Sequence, residues 1–431
     1  MRPRIPRALI PVGVAALLTG IAAPAQAQAQ AQGHQATGHT LAADTRFYVE
    51  PDRDAEQQVA TDLLNGDLAG ATAMAKLASW PGAHWYTDGT PDEVQRQTHT
   101  LARRAARTGT VPVLVAYNVP GRDCSQYSSG GAQSDADYRA WIAGLAKGIG
   151  RDKAVIVLEP DALANLPRDC SPTTDPTGAL TAGRIADLRY AIDVLEKQPN
   201  TTVYLDAGNS HWQSVGAMTQ RLMDAGVERA QGFSLNVSNF FSTDWSDRYG
   251  TWVSDCLWYA TKGPAAARGH AEQCASQYYS PAAPNDGAAG NAVNVDDPAT
   301  WHWTDLWFQQ NVGSRPAEEL THFVVDTSRN GKGDWTPPAG KYAGDPQVWC
   351  NPPGRGIGNR PTADTGTPLA DAYLWIKTVG QSDGQCNRSI PGGTADPEYG
   401  SVDPPAGTWW PEQARTLVRN ADPALTFNGW G

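Results

Sequence analysis

Basic charge is scarce in this chain of 431 residues: 34 Lys and Arg stand against 45 Asp and Glu, a formal net charge of −11. Nucleic acids and anionic membranes both demand basic surface, so neither is expected as a partner. Charge of either sign is low, at 18% of residues against 40% hydrophobic, which excludes a charge-rich disordered chain. Beyond the N-terminus there is no long apolar run, so no membrane span is expected. Cys124, Cys170, Cys256, Cys274, Cys350 and Cys386 include no Cys-x-x-Cys pair, which argues against zinc and redox motifs. The eight histidines show no metal-ligand spacing, and G-x-S-x-G, H-E-x-x-H, Walker and EF-hand patterns are all missing. No metal or cofactor is expected.

What the chain does have is tryptophan, 16 of them, together with 43 Gly and 32 Pro. The glycines and prolines imply many turns and long loops. So many tryptophans in a polar chain imply flat stacking surfaces as well as core. Arg2, Arg4 and Arg7, an apolar stretch from Ala8 to Ala22 and the small-residue site Ala25-Gln-Ala27 read as an export signal over 1–27. The Ala/Gln-rich residues 28–44 read as a disordered leader, and 45–431 as a single domain with no second module appended. Export makes the even set of cysteines a disulfide framework. Sequence does not choose among the pairings, although chain order suggests 124–170, 256–274 and 350–386.

Short β-branched runs recur at Val111–Ala116, Ala154–Leu158, Thr202–Leu205, Gly232–Leu235 and His322–Val325. They read as strands buried on both faces, hence a parallel sheet. Helical patterns lie between them at 91–107, 136–149, 182–197 and 215–225, giving an α/β domain, open or barrel-shaped. Each run ends in polar residues: Tyr117 and Asp123, Glu159 and Asp161, Asp206, Asn236, Asp326. Any single Asp there can simply cap the next helix. Five in succession favour a site at the carboxyl ends of the strands. Residues 251–305 and 380–411 break the pattern and read as long ordered loops. Carboxylates, amides and tryptophans are the set that glycoside cleavage needs.

The chain resembles the glycoside hydrolase family 6 cellulases. Val115-Ala-Tyr-Asn-Val-Pro-Gly-Arg-Asp-Cys-Ser-Gln-Tyr-Ser-Ser-Gly-Gly131 matches one family signature and Val155-Ile-Val-Leu-Glu-Pro-Asp-Ala-Leu163 a second. Asp206-Ala-Gly-Asn-Ser-His-Trp212, Asn236-Val-Ser-Asn239, Asp326-Thr-Ser-Arg-Asn-Gly331, Trp349-Cys350, Trp375-Ile-Lys377 and Ser382-Asp-Gly384 follow in family order.

The resemblance implies a distorted, seven-stranded TIM-like parallel β/α barrel with long loops covering the site, and inverting cleavage of β-1,4-glucan. It makes Asp161 the general acid and Asp123 a second carboxylate that tunes its pKa and positions water. Tyr117 would favour a distorted sugar ring, and Ser129 would hold the attacking water. Asp383 would be the base, or proton transfer would run through a water chain. Trp85, Trp212 and Trp349 become stacking platforms, with Asp206, Asn209, Asn239, Lys377 and Gln381 as sugar contacts. Asn209 stands where many members have His, and Gln381 where many have Glu. The resemblance also supports the 124–170 and 350–386 disulfides.

These features lead to a secreted, monomeric enzyme acting on cellulose and β-1,4-gluco-oligosaccharides. Insertions at 251–305 and 387–408 resemble tunnel-roofing loops, which favours a cellobiohydrolase working from non-reducing ends over an endoglucanase. A non-catalytic glucan-binding protein would not need Asp161 and Asp123.

Overall fold

Seven parallel strands, β1 His84–Tyr86, β2 Val113–Ala116, β3 Ala154–Leu158, β4 Thr201–Asp206, β5 Gly232–Leu235, β6 His322–Asp326 and β7 Ala370–Leu374, pair in chain order in one curled sheet. The computed structural model describes residues 41–429 apart from 52, 172, 286, 287, 289 and 290. The export signal expected at 1–27 lies outside the described residues, as does the leader up to residue 40.

Every residue of β2, β3, β4 and β5 is buried. The cause is the two-residue period of a strand with apolar side chains on both faces. Val113, Val115, Val155, Val157, Tyr204, Val324 and Leu374 fill the inside of the curl. Leu114, Ile156, Leu158, Leu205, Phe233 and Val325 pack outwards against helices. The curl meets at β1 and β7, where Ala83 N–H donates to Trp375 O and Trp85 Nε1–H to Ile376 O. Both strands escape a search for β-branched runs, because His-Trp-Tyr and Ala-Asp-Ala-Tyr-Leu contain none.

The helices are α1 Asp54–Leu64, α2 Leu68–Ala78, α3 Pro91–Arg107, α4 Asp135–Ile149, α5 Pro167–Cys170, α6 Ala179–Leu195, α7 Val215–Ala225, α8 Thr243–Lys262, α9 His302–Asn311 and α10 Pro411–Arg419. Thr90, Ser134, Ser214 and Ser242 cap α3, α4, α7 and α8, each worth about 1 kcal/mol. The carboxylates at the strand ends therefore do not serve as those caps.

The reading of 251–305 as one loop is corrected. Residues 251–262 complete α8, with Trp252, Val253, Cys256, Leu257 and Ala260 on its buried face at helical spacing. A 3-10 turn, Pro298–Trp301, then leads into α9, so among the described residues the irregular part is confined to 263–297, itself holding a short 3-10 turn at Ala271–Gln273. That stretch crosses close to α7, where a Cβ on Gly216 would lie 2.4 Å from Ala271 O. The disulfides are Cys124–Cys170, Cys256–Cys274 and Cys350–Cys386, as chain order suggested.

Candidate active site

The strand-end carboxylates work as staples between neighbouring loops. Glu159, at the end of β3, accepts the backbone N–H groups of Asn118 and Val119 from the loop after β2. Asp206, at the end of β4, accepts N–H of Asp161 at 2.9 Å and of Gly208 at 3.0 Å, and the Ser234 hydroxyl. Asp326, at the end of β6, takes Ser238 from the loop after β5, Ser328 from its own, and Ile376 and Lys377 from that after β7. Each of the three is no more than 1% exposed. Asp206, expected as a sugar contact, is 1% exposed and both of its oxygens accept hydrogen bonds from within the chain.

The loops so held adopt strained backbone. Asp123, Cys124, Glu159, Asp161, Asn236 and Ser238 all have positive φ without being glycine. Such residues collect where function over-determines geometry. Asp161 is half-buried, with φ 66°. Burial, then the charges of Asp206 and Asp123, push its carboxyl well above the usual range, against the pull of Lys377. Burial also raises Asp123, although Ser128 N–H donates to it at 2.6 Å and Arg122 is near.

Tyr117 is buried, with Trp85 edge-on at 5.5 Å and the Arg122 guanidinium 4.6 Å from its ring centre. Burial and the Asp161 and Asp123 charges keep its hydroxyl protonated. Ser129 is exposed on the same loop as Asp123.

Asp383, in the segment after β7, is 7% exposed. Arg329 Nη1 donates to both its oxygens at 2.9 Å, Asn351 N–H to Oδ2 at 3.0 Å, and Lys377 Nζ lies 3.4 Å from Oδ1. Gly384 follows because a Cβ there would meet Tyr127 at 2.6 Å. Burial lowers the Lys377 pKa, and the Asp383 charge raises it.

Among the described tryptophans, Trp212 and Trp349 are the exposed ones, at 37% and 36%. Trp349 leans on Tyr127 with ring centres 5.9 Å apart. Trp85 lines a cleft of about 330 Å³ with Lys377, Gln381, Trp409 and Asp54. Gln381 donates to Asp54 at 3.1 Å. Asn209 is 6% exposed and closes a turn by accepting His211 N–H. Half-buried Asn239 donates to Val237 O.

Two residues at the centre of the site carried no expected role. Arg329 lay inside the quoted motif Asp326–Gly331 without a role of its own, and its signal was a lone cation beside a strand end. Asn351 follows the quoted Trp-Cys pair and gives no sign of itself in sequence.

A parallel barrel with two raised carboxyls and open aromatic faces at its strand ends is the architecture of a carbohydrate-cleaving enzyme. Residues 42–421 match the family described as glycosyl hydrolases family 6, and the chain belongs to that family. It is 32% identical over 349 residues to Endoglucanase A of Cellulomonas fimi, covering 81% of this chain and 56% of that protein. Over 440 residues it is 30% identical to a probable 1,4-beta-D-glucan cellobiohydrolase C of Aspergillus niger, covering 94% and 82%. The solved endoglucanase Cel6 of Mycobacterium tuberculosis, in complex with a methyl-cellobiosyl-4-deoxy-4-thio-beta-D-cellobioside, superposes with TM-score 0.62 at 33% identity, covering 89% and 99%.

Proposed function

We propose that the protein is a secreted, monomeric, inverting glycoside hydrolase that cuts β-1,4-glucosidic bonds of cellulose and releases cellobiose from non-reducing ends. The observation that carries the chemistry is Asp161, a half-open carboxyl held neutral by burial, Asp206 and Asp123. Asp161 gives its proton to the glycosidic oxygen as the bond to the anomeric carbon breaks. Water attacks that carbon from the opposite face, and the α-anomer leaves. Ser129 and Asp123 orient this water, and Tyr117 crowds the ring that is being distorted.

Asp383 is the less suited to take the water proton directly, since Arg329, Asn351 and Lys377 already surround its oxygens. We assign the proton to a water relay that Asp383 orients by charge. Trp85, Trp212 and Trp349 offer flat faces to successive sugars.

Support for exo action comes from 263–297, pinned to α8 by Cys256–Cys274, and from 387–408, which begins beside Cys350–Cys386. Endo action is the second reading, favoured by the names of the Cellulomonas and Mycobacterium relatives. Product analysis on amorphous cellulose decides between them. Dominant soluble cellobiose supports exo action, and many new insoluble reducing ends support endo action. NMR of the first product tests inversion, and an initial β-anomer overturns it.

A further inference from the structure

Behind Asp383 lies a knot of buried charge that the reaction above does not use. Arg388 pairs with Asp396, and both side chains are fully buried. Asp403 is 1% exposed, and its carboxylate lies within 4.8 Å of that of Asp396 and of Cys386 Sγ. One guanidinium therefore serves two carboxyls. A second bare charge without a partner is too costly to bury, so the pair retains one proton.

The hydrogen bonds say where that proton sits. Asp396 accepts from Arg388 through both oxygens and from Glu398 N–H. Asp403 Oδ2 accepts from Asn351 Nδ2 at 2.8 Å, whereas Oδ1 has no donor among the described residues. A proton on Asp403 turns that idle oxygen into a donor towards Asp396. A bound cation does not explain the cluster, because the Cys386 sulfur is in a disulfide and Asp396 is committed to Arg388.

Asn351 joins this knot to the site. It is fully buried with φ 42°. Its N–H donates to Asp383 Oδ2, and its side-chain oxygen accepts Asp383 N–H at 2.8 Å. We propose that Asp403, in its neutral form, is a positioning residue for Asp383, acting through the Asn351 carboxamide. This rests on the reading in which Asp383 orients the water relay.

Several other groups face the pair. Tyr399 and Glu398 come from the same segment, Glu398 being held by Lys341 and Tyr342. From α10, Gln413 donates to Asn351 Oδ1 at 3.1 Å. Burial first, with Asp396 against the opposing pulls of Asn351 and Arg388, pushes Asp403 up to about 7. Above that pH two carboxylates repel across one guanidinium, and the Asn351 clasp on Asp383 loosens.

The test measures kcat for 2,4-dinitrophenyl β-cellobioside against pH, since this leaving group needs no proton and hides the titration of Asp161. Wild type should lose kcat with a midpoint at about 7. D403N, which donates and accepts as the neutral acid does, should lack this limb and match wild type at acid pH within about twofold. D403A should lose roughly tenfold in kcat at acid pH, with KM changed far less. A D403N enzyme with the wild-type limb overturns the proposal, and so does a D403A enzyme with wild-type kcat. Thermal unfolding of wild type and D403N at acid and neutral pH gives an independent check, because it needs no activity. Equal falls in Tm mean that Asp403 carries no buried proton. If wild type leaves the substrate uncut, the functional reading falls instead, and the Tm comparison still decides the protonation of Asp403.

Discussion

Asp206 Oδ1 accepts the backbone N–H of Asp161 at 2.9 Å, and after burial the Asp206 charge is the largest influence raising the Asp161 carboxyl. One residue thus fixes the acid in place and keeps it protonated. Asp206→Asn can retain the acceptor while removing the charge. The alkaline limb of kcat/KM on cello-oligosaccharides should then move down by about one pH unit. Asp206→Ala should lose activity at every pH, since the strained loop at Asp161 loses its staple. An unmoved limb in the Asn variant would show that burial alone protonates Asp161.

Asp161→Asn should cut turnover of unactivated glucan by about 10²–10⁴-fold while binding persists. The loss on 2,4-dinitrophenyl β-cellobioside should be much smaller, because that leaving group departs as an anion. Equal losses on the two substrates would remove Asp161 from the acid role.

Trp212→Ala and Trp349→Ala each delete an exposed aromatic face without opening the core. Affinity for cellohexaose should fall by roughly tenfold, equivalent to about 1.4 kcal/mol, with Tm nearly unchanged. Isothermal titration in an Asp161→Asn background measures this directly. Unchanged affinity in both variants would mean that the glucan runs elsewhere.

Stability should be greatest in acid. Burial pushes Glu159, Glu196 and Asp255 up to about 7 and Asp247 to about 6. The folded chain keeps protons that the unfolded chain, with ordinary carboxyls near 4, gives up. Their contribution is therefore complete below about pH 4 and is lost as pH rises through the folded values near 7. Calorimetry should find Tm lower at pH 8 than at pH 5 by roughly 5 °C or more. A higher Tm at pH 8 would place these carboxyls in the ionised state throughout.

The central strands were plain in sequence because burial on both faces leaves uninterrupted runs such as Ala154-Val-Ile-Val-Leu158. β1 and β7 were not, since edge positions tolerate His84 and Asp371. The start of the 251–305 stretch hid the end of a helix because Trp252, Cys256 and Tyr259 interrupt the aliphatic pattern of its buried face. At the site, motif residues such as Asp161 and Asp123 were legible. Asp206 drew attention by its place at a strand end, yet that place serves the backbone. Asn351 was invisible, because a residue that works by hydrogen-bonding to several neighbours far apart in sequence carries no pattern along the chain.

The staples described above have a consequence for exchanging parts between relatives. In three places the side chain that secures a loop comes from the following strand: Glu159 for the loop after β2, Asp206 for that after β3, Asp326 for that after β5. The transplantable unit of this barrel is therefore not a strand with its own loop. It is a loop together with the end of its neighbour, and a graft cut at the conventional boundary would carry away a loop and leave its clasp behind.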